Sequence, residues 1–341
     1  MSPPHAPPPR QPGVLHAAWL LPAIAALLYP LALAGLHRSG TYFVKSTLAG
    51  ERAAAGALMA MAAMLVYSVP IIAFLAIGGA RDLRARQIAH LAFAAPPLFV
   101  VIGVFFYMLN MPQADYVTWA ILWIAVLAVA ATSSGQAREI SPPTPWLTTA
   151  HGFSAAAIIA IFLAWHLFNH MTAIWSLDLN KKVMDTLRGW YRSDLVQPML
   201  IALIVFQLLS GIRLLLSKIS LPDGIYASIQ TATAAYLLVF ITSHVIAVFI
   251  LGRMFLGVDT TFAWASGAPT GLLLDPWNVR LIPHYSLAVL FLICHLAMGL
   301  RAILLAHGAK VGQANRLAWT GCALGLVLSV VIIVAQLSVQ S

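Results

Sequence analysis

Long apolar runs separated by short polar breaks set the pattern of this chain. The runs cover residues 17 to 36, 53 to 79, 87 to 110, 116 to 132, 147 to 174, 195 to 216, 228 to 251, 283 to 306 and 317 to 338. Each approaches or exceeds the ~18 to 20 residues that cross a hydrocarbon core as a helix. Backbone in lipid must satisfy its own hydrogen bonds, so each run predicts a helix. Together they predict an all-α integral membrane protein of about nine transmembrane helices. Pro70, Pro96 and Pro97 interrupt the second and third of these runs. The ten acidic residues, from Glu51 to Asp275, fall outside the runs or at their edges, as exclusion of charge from lipid requires.

Composition agrees and limits the partners. Of 341 residues 61% are hydrophobic and only 9% charged, with a mean hydropathy of +0.89, which excludes an ordinary soluble domain. A net charge of +9 would point to nucleic acid in a soluble protein. Here the Lys and Arg residues sit at run ends and in short loops, as headgroup anchors. The expected partner is therefore the lipid bilayer, with no nucleic acid. Nine spans place ten Lys and Arg residues on the N-terminal side and nine on the other, so positive charge does not decide the orientation. The Pro-rich start MSPPHAPPPRQPG predicts a disordered tail over residues 1–16 without a signal-cleavage pattern.

The segment GQAREISPPTPW reads as a linker between a four-helix membrane region, 17–140, and a five-helix region, 141–341. AHLAFAAPPLFVVIG at His90 and AHGFSAAAIIAIFLAW at His151 echo each other faintly across it. Cys294 and Cys322 lie within helices and form neither a CxxC pair nor a CxxCH site, so they read as core residues.

An ionisable side chain deep in an apolar run needs a partner or a function. His166 and His244 both lie about two thirds of the way along their runs. If those helices are parallel, the imidazoles share one depth, the arrangement that clamps a haem iron from both faces. His170 follows His166 by one turn, placed to bond either a haem carboxylate or a neighbouring carbonyl. His90 and His151 begin helices, where they read as snorkelling side chains or as donors to a quinone ring. His5, His16, His37, His284 and His307 lie at or beyond run ends and read as structural.

The C-terminal region resembles the two-haem cytochrome b membrane-anchor subunit of succinate dehydrogenase and fumarate reductase, over about residues 145–338. AHGFSAAAIIAIFLAWH, ending in His166, is similar to the family's first helix. QTATAAYLLVFITSH, ending in His244, is similar to its third. HYSLAVLFLICHLAMGLR, with His295, is similar to the fourth. VQPMLIALIVFQLLSGIR is similar to the second, but Gln207 stands where the family has a histidine.

The resemblance implies haem b ligated by His166 and His244, with metal ligation confined to that pair, and a second haem site, Gln207 and His295, that lacks one ligand. A neutral amide is a poor iron ligand, so His295 is either a differently paired ligand or a relic hydrogen-bonded to Gln207. The chain itself has neither a dinucleotide fingerprint nor a cysteine cluster. The implied role is a non-catalytic membrane subunit passing electrons between flavoprotein and iron–sulfur partners and quinone. The expected location is a bacterial inner membrane, with residue 147 towards the cytoplasm. A second class is a haem-free transporter or assembly protein on a related scaffold. Transport is disfavoured by the absence of an acidic residue well inside a helix to couple ions.

Overall fold

The computed structural model describes residues 20–80, 82–132, 141, 143–219 and 224–340. The N-terminal region comprises α1 Leu21–Lys45, α2 Ala49–Gly79, α3 Leu83–Phe93, α4 Ala95–Met108 and α5 Ala114–Thr132. Beyond it α6, Pro145–Ile158, passes through a π-helical segment, Ile159–Leu163, into α7, Ala164–Thr172. There follow α8 Leu177–Tyr191, α9 Val196–Lys218, and α10 Gly224–Val245, which runs into a second π segment, Ile246–Phe255. The short α11, Phe262–Ala265, precedes α12 Leu281–Ala306 and α13 Val311–Leu337. No strand occurs among the described residues. The expected tail, 1–16, and most of the linker lie outside them.

Among the described residues eight helical segments are long and apolar enough to cross a membrane, and α3 with α4 forms a pair bent by 62° that makes a ninth. The break falls at Ala94, where Pro96 and Pro97 occupy the first turn of α4. Proline there lacks a donor that would be unpaired anyway, so it starts a helix without loss but cannot continue the one before. Contacts at both ends support a crossing. His90 on α3 meets Thr231 near the start of α10, whereas Tyr107 on α4 meets Trp277, just before α12. By contrast, Pro30 and Pro70 sit inside α1 and α2 without ending them.

Residues 175–194, a plain connection by hydropathy, contain α8. Ser176 caps it by accepting a hydrogen bond from the Leu179 amide, Asp178 occupies its first turn and Arg188 its last, matching the helix dipole. α8 lies between two crossing helices and is not one itself.

Consecutive spans alternate in direction. His151, early in α6, meets Ser210, late in α9, and Gln197, at the start of α9, meets Arg253, late in the π segment that continues α10. The span of α6 and α7 therefore runs parallel to α10, two spans further on.

One apolar cluster joins α1 to α5 with α10 and α12, so the N-terminal helices and part of the C-terminal bundle share a core. A buried ion pair fastens the join: Arg280 Nη1 lies 2.7 Å from Asp115 Oδ2, with the side chains 2% and 0% exposed. Trp277 and Phe99 flank the guanidinium at 4.8 and 4.3 Å. Gly103 makes room for it, since a Cβ there would collide with Arg280 Nη1. Arg280 is thus a buried cross-link and not the headgroup anchor that its position before a span predicts; it pairs with a residue 165 positions away.

Candidate functional site

Histidines gather in two layers of the C-terminal bundle. In the layer near the end of α7, the His166 and His244 rings lie 6.1 Å apart, centroid to centroid, inclined at 65°. His170 stands 4.6 Å from His166. Among the described residues neither His166 nor His244 hydrogen-bonds to the protein, and His170 Nδ1 is buried without a partner. A buried nitrogen such as His170 Nδ1 costs on the order of 1 to 3 kcal/mol unless something else occupies it.

Each of the two rings is held by a phenyl group one turn earlier on its own helix. Phe162 stacks on His166 at 4.8 Å and Phe240 on His244 at 5.5 Å. This shared Phe-x-x-x-His pattern, FLAWH and FITSH, is a local signal that the histidine positions alone do not convey. Tyr191 at the end of α8 braces Phe162 edge-on at 5.2 Å. The π segments adjoin the same histidines: Ile159–Leu163 ends three residues before His166, and Ile246–Phe255 begins two residues after His244. A π turn widens the helix by one residue and re-aims the side chains beside it.

The spacing suits a metal held between two imidazoles. Two bonds of about 2 Å plus the half-widths of two five-membered rings come to about 6 Å between centroids. Among the described residues no group of three or more His, Cys, Asp or Glu side chains is placed to hold a metal ion. The two imidazoles offer a pair of nitrogen donors, a set that suits an iron whose other four ligands come from a macrocycle. At the same end of the bundle, Arg188 bonds Asp259 Oδ1 at 2.7 Å, and Arg253 reaches Gln197 at 3.4 Å. Burial, together with Arg188 and Arg253 nearby, holds the Arg192 guanidinium below its ordinary value. This cationic rim can receive carboxylates.

The other layer is satisfied differently. Gln207 Nε2 donates to His151 Nε2 at 2.9 Å, and His151 Nδ1 then donates to Ser210 Oγ at 2.8 Å. Ser210 in turn donates to the Phe206 carbonyl at 2.6 Å, and Ser154 donates to Gln207 Oε1. The side-chain polar atoms of His151, Ser154, Gln207 and Ser210 all have partners in this network. His295 Nδ1 faces Thr233 Oγ1 at 3.2 Å and the Gln230 carbonyl at 3.3 Å. No hydrogen bond joins Gln207 to His295, contrary to the relic reading of the sequence. His151, a helix-start residue, takes up the amide instead.

Two further histidine expectations change. His90 is buried and bonded to Thr231 at 3.1 Å and the Arg86 carbonyl at 2.7 Å, so it does not snorkel. His284, at the edge of its run, is 2% exposed with Nδ1 unpartnered, and its ring lies 4.6 Å from Phe240. It thereby joins the His244 neighbourhood. No local pattern marks it, because the contact depends on α12 packing against α10. His37 bonds the Leu273 carbonyl at 3.0 Å, a structural tie.

No family model, curated protein or solved structure matches this chain.

Proposed function

We propose that this protein is a membrane cytochrome b that holds one haem b between His166 and His244 and passes electrons between a peripheral flavin and iron–sulfur partner and quinone. The proposed setting is a bacterial inner membrane. The observation that carries this reading is the pair of imidazoles on parallel spans, 6.1 Å apart, with no protein hydrogen bond among the described residues. A bound haem would supply one-electron chemistry. Phe162 and Phe240 stack on the two ligand rings and fix their planes. His170 and the Arg188, Arg192 and Arg253 rim provide donors for carboxylates at the polar end.

The second layer supports a single haem. Gln207 is a poor ligand and is engaged by His151 and Ser154, leaving His295 without an imidazole opposite it from α9.

The test is a reduced-minus-oxidised optical spectrum of the purified protein, with haem counted per chain. One low-spin b-type haem, lost in His166→Ala and in His244→Ala, is expected. A protein without haem after expression in haem-replete cells would overturn the reading and favour a haem-free membrane role.

A further inference from the structure

Between the two regions, on the side of His244 shared with α4, lies a cavity of about 260 Å³. α4 contributes Val100, Val104 and Tyr107, and α10 with its π segment contributes His244 and Ala247. His284 and Tyr285 of α12, with Trp264, Trp277 and Asp275 from the preceding loop, complete most of the wall. The family resemblance does not cover α4, which supplies one wall of this space.

The lining selects its ligand. The walls are mainly aliphatic and aromatic, and no Lys or Arg lines them, which disfavours an anion. At 260 Å³ the volume lies below the ~300 Å³ at which drug-sized sites begin, so it suits one substituted ring and not a second macrocycle. The wall also carries the hydroxyl groups of Tyr107 and Tyr285. They supply the few polar contacts that orient a ring bearing carbonyl or hydroxyl groups. At the rim Tyr107 and Leu256 are 43% and 38% exposed, leaving an exit to the surroundings for an apolar tail. His244 belongs both to this wall and to the imidazole pair, so a ring bound here would lie against a proposed haem ligand.

We propose that this cavity binds the ring of a lipid-soluble quinone or quinol, with α4 of the N-terminal region as one wall. Use of the site for electron exchange rests on the cytochrome reading; binding does not. The binding test therefore needs no haem. Decyl-ubiquinone is titrated into purified protein in nanodiscs while tryptophan emission is followed, because Trp264 and Trp277 line the cavity and quinones quench such emission on contact. Saturable quenching is expected in wild type and in His166→Ala alike. Val104→Phe, which fills the cavity from α4, should abolish the saturable phase. Ala247→Phe fills it from α10 and serves if the first variant does not fold. Tyr285→Phe should weaken binding about tenfold, the effect of one lost hydrogen bond. Quenching that never saturates, or that all three variants leave unchanged, overturns the proposal. So does displacement by decanol as effective as by the quinol, which would mark a site for a lipid chain. Saturable binding in a protein that proves to lack haem would sustain this site while removing the cytochrome reading.

Discussion

In α1 and α2, 39% and 33% of the most apolar membrane-crossing window is buried, but in the span Pro145–Thr172 the share is 6%, and in α9 it is 17%. The N-terminal helices pack against one another and against α10, with Tyr29, Phe99, Trp119 and Trp123 in contact and the Trp119 indole bonded to the Ala26 carbonyl at 2.9 Å. The span of α6 and α7 instead finds its main neighbours in α8, α9 and α13, and reaches α10 through histidine rings. Lipid competes with a partner helix on nearly equal terms for apolar side chains, so close packing and polar contacts decide which membrane helices associate. Where the chain packs closely it fastens the fold. Where it packs loosely it presents unpartnered imidazoles. Stability and ligand binding should therefore separate by region.

The sharpest test of that separation uses His166→Ala and His244→Ala. Each should abolish haem binding completely, read by pyridine haemochrome assay, while the haem-free wild-type protein and the variants unfold at similar temperatures. A large loss of stability in the haem-free comparison would show that the histidines also hold the bundle together. The converse is Asp115→Ala, which strands the Arg280 charge in the interior. It should cost about 3 to 5 kcal/mol of stability, measured by unfolding in mixed detergent, while haem per folded chain stays constant. Gly103→Ala acts on the same join by pushing the guanidinium aside, at a cost of about 1 to 3 kcal/mol for overpacking, again without loss of haem from folded protein. Gln207→Leu tests the second histidine layer: His151 Nε2 loses its donor, stability should fall by about 1 to 2 kcal/mol in the same unfolding assay, and haem content should not change.

Much of the fold is legible in hydropathy, because lipid enforces helix length residue by residue. The spans fall within a few residues of their expected positions at most ends, and the pairing of His166 with His244 follows from depth and direction alone. Other features need tertiary information. The pair Asp115 and Arg280 spans 165 residues with no repeating signal between them. His284 sits at the edge of its run, where the sequence reads it as structural, yet it is buried against Phe240 of α10. α8 is too polar to register as a span, although Ser176 and Asp178 carry a helix-start signal that hydropathy overlooks. Gln207 finds its partners in His151 and Ser154, which depends on the rotation of α6 against α9.

The π segment Ile246–Phe255 also sets a register. Each residue of an α-helix turns the chain by about 100°, so one residue absorbed in a wide turn changes the heading of everything that follows. Beyond this segment the Val258 amide bonds back to the Gly252 carbonyl at 3.0 Å, and Arg188 of α8 holds Asp259 and the Thr260 carbonyl. Deleting one residue between 246 and 255 would restore a regular winding and swing these attachment points roughly a quarter turn away from α8. The segment thus works as a fixed angular offset: it lets His244 keep its heading towards α7 while the chain a few residues later leaves in the direction that brings Asp259 and Thr260 to Arg188.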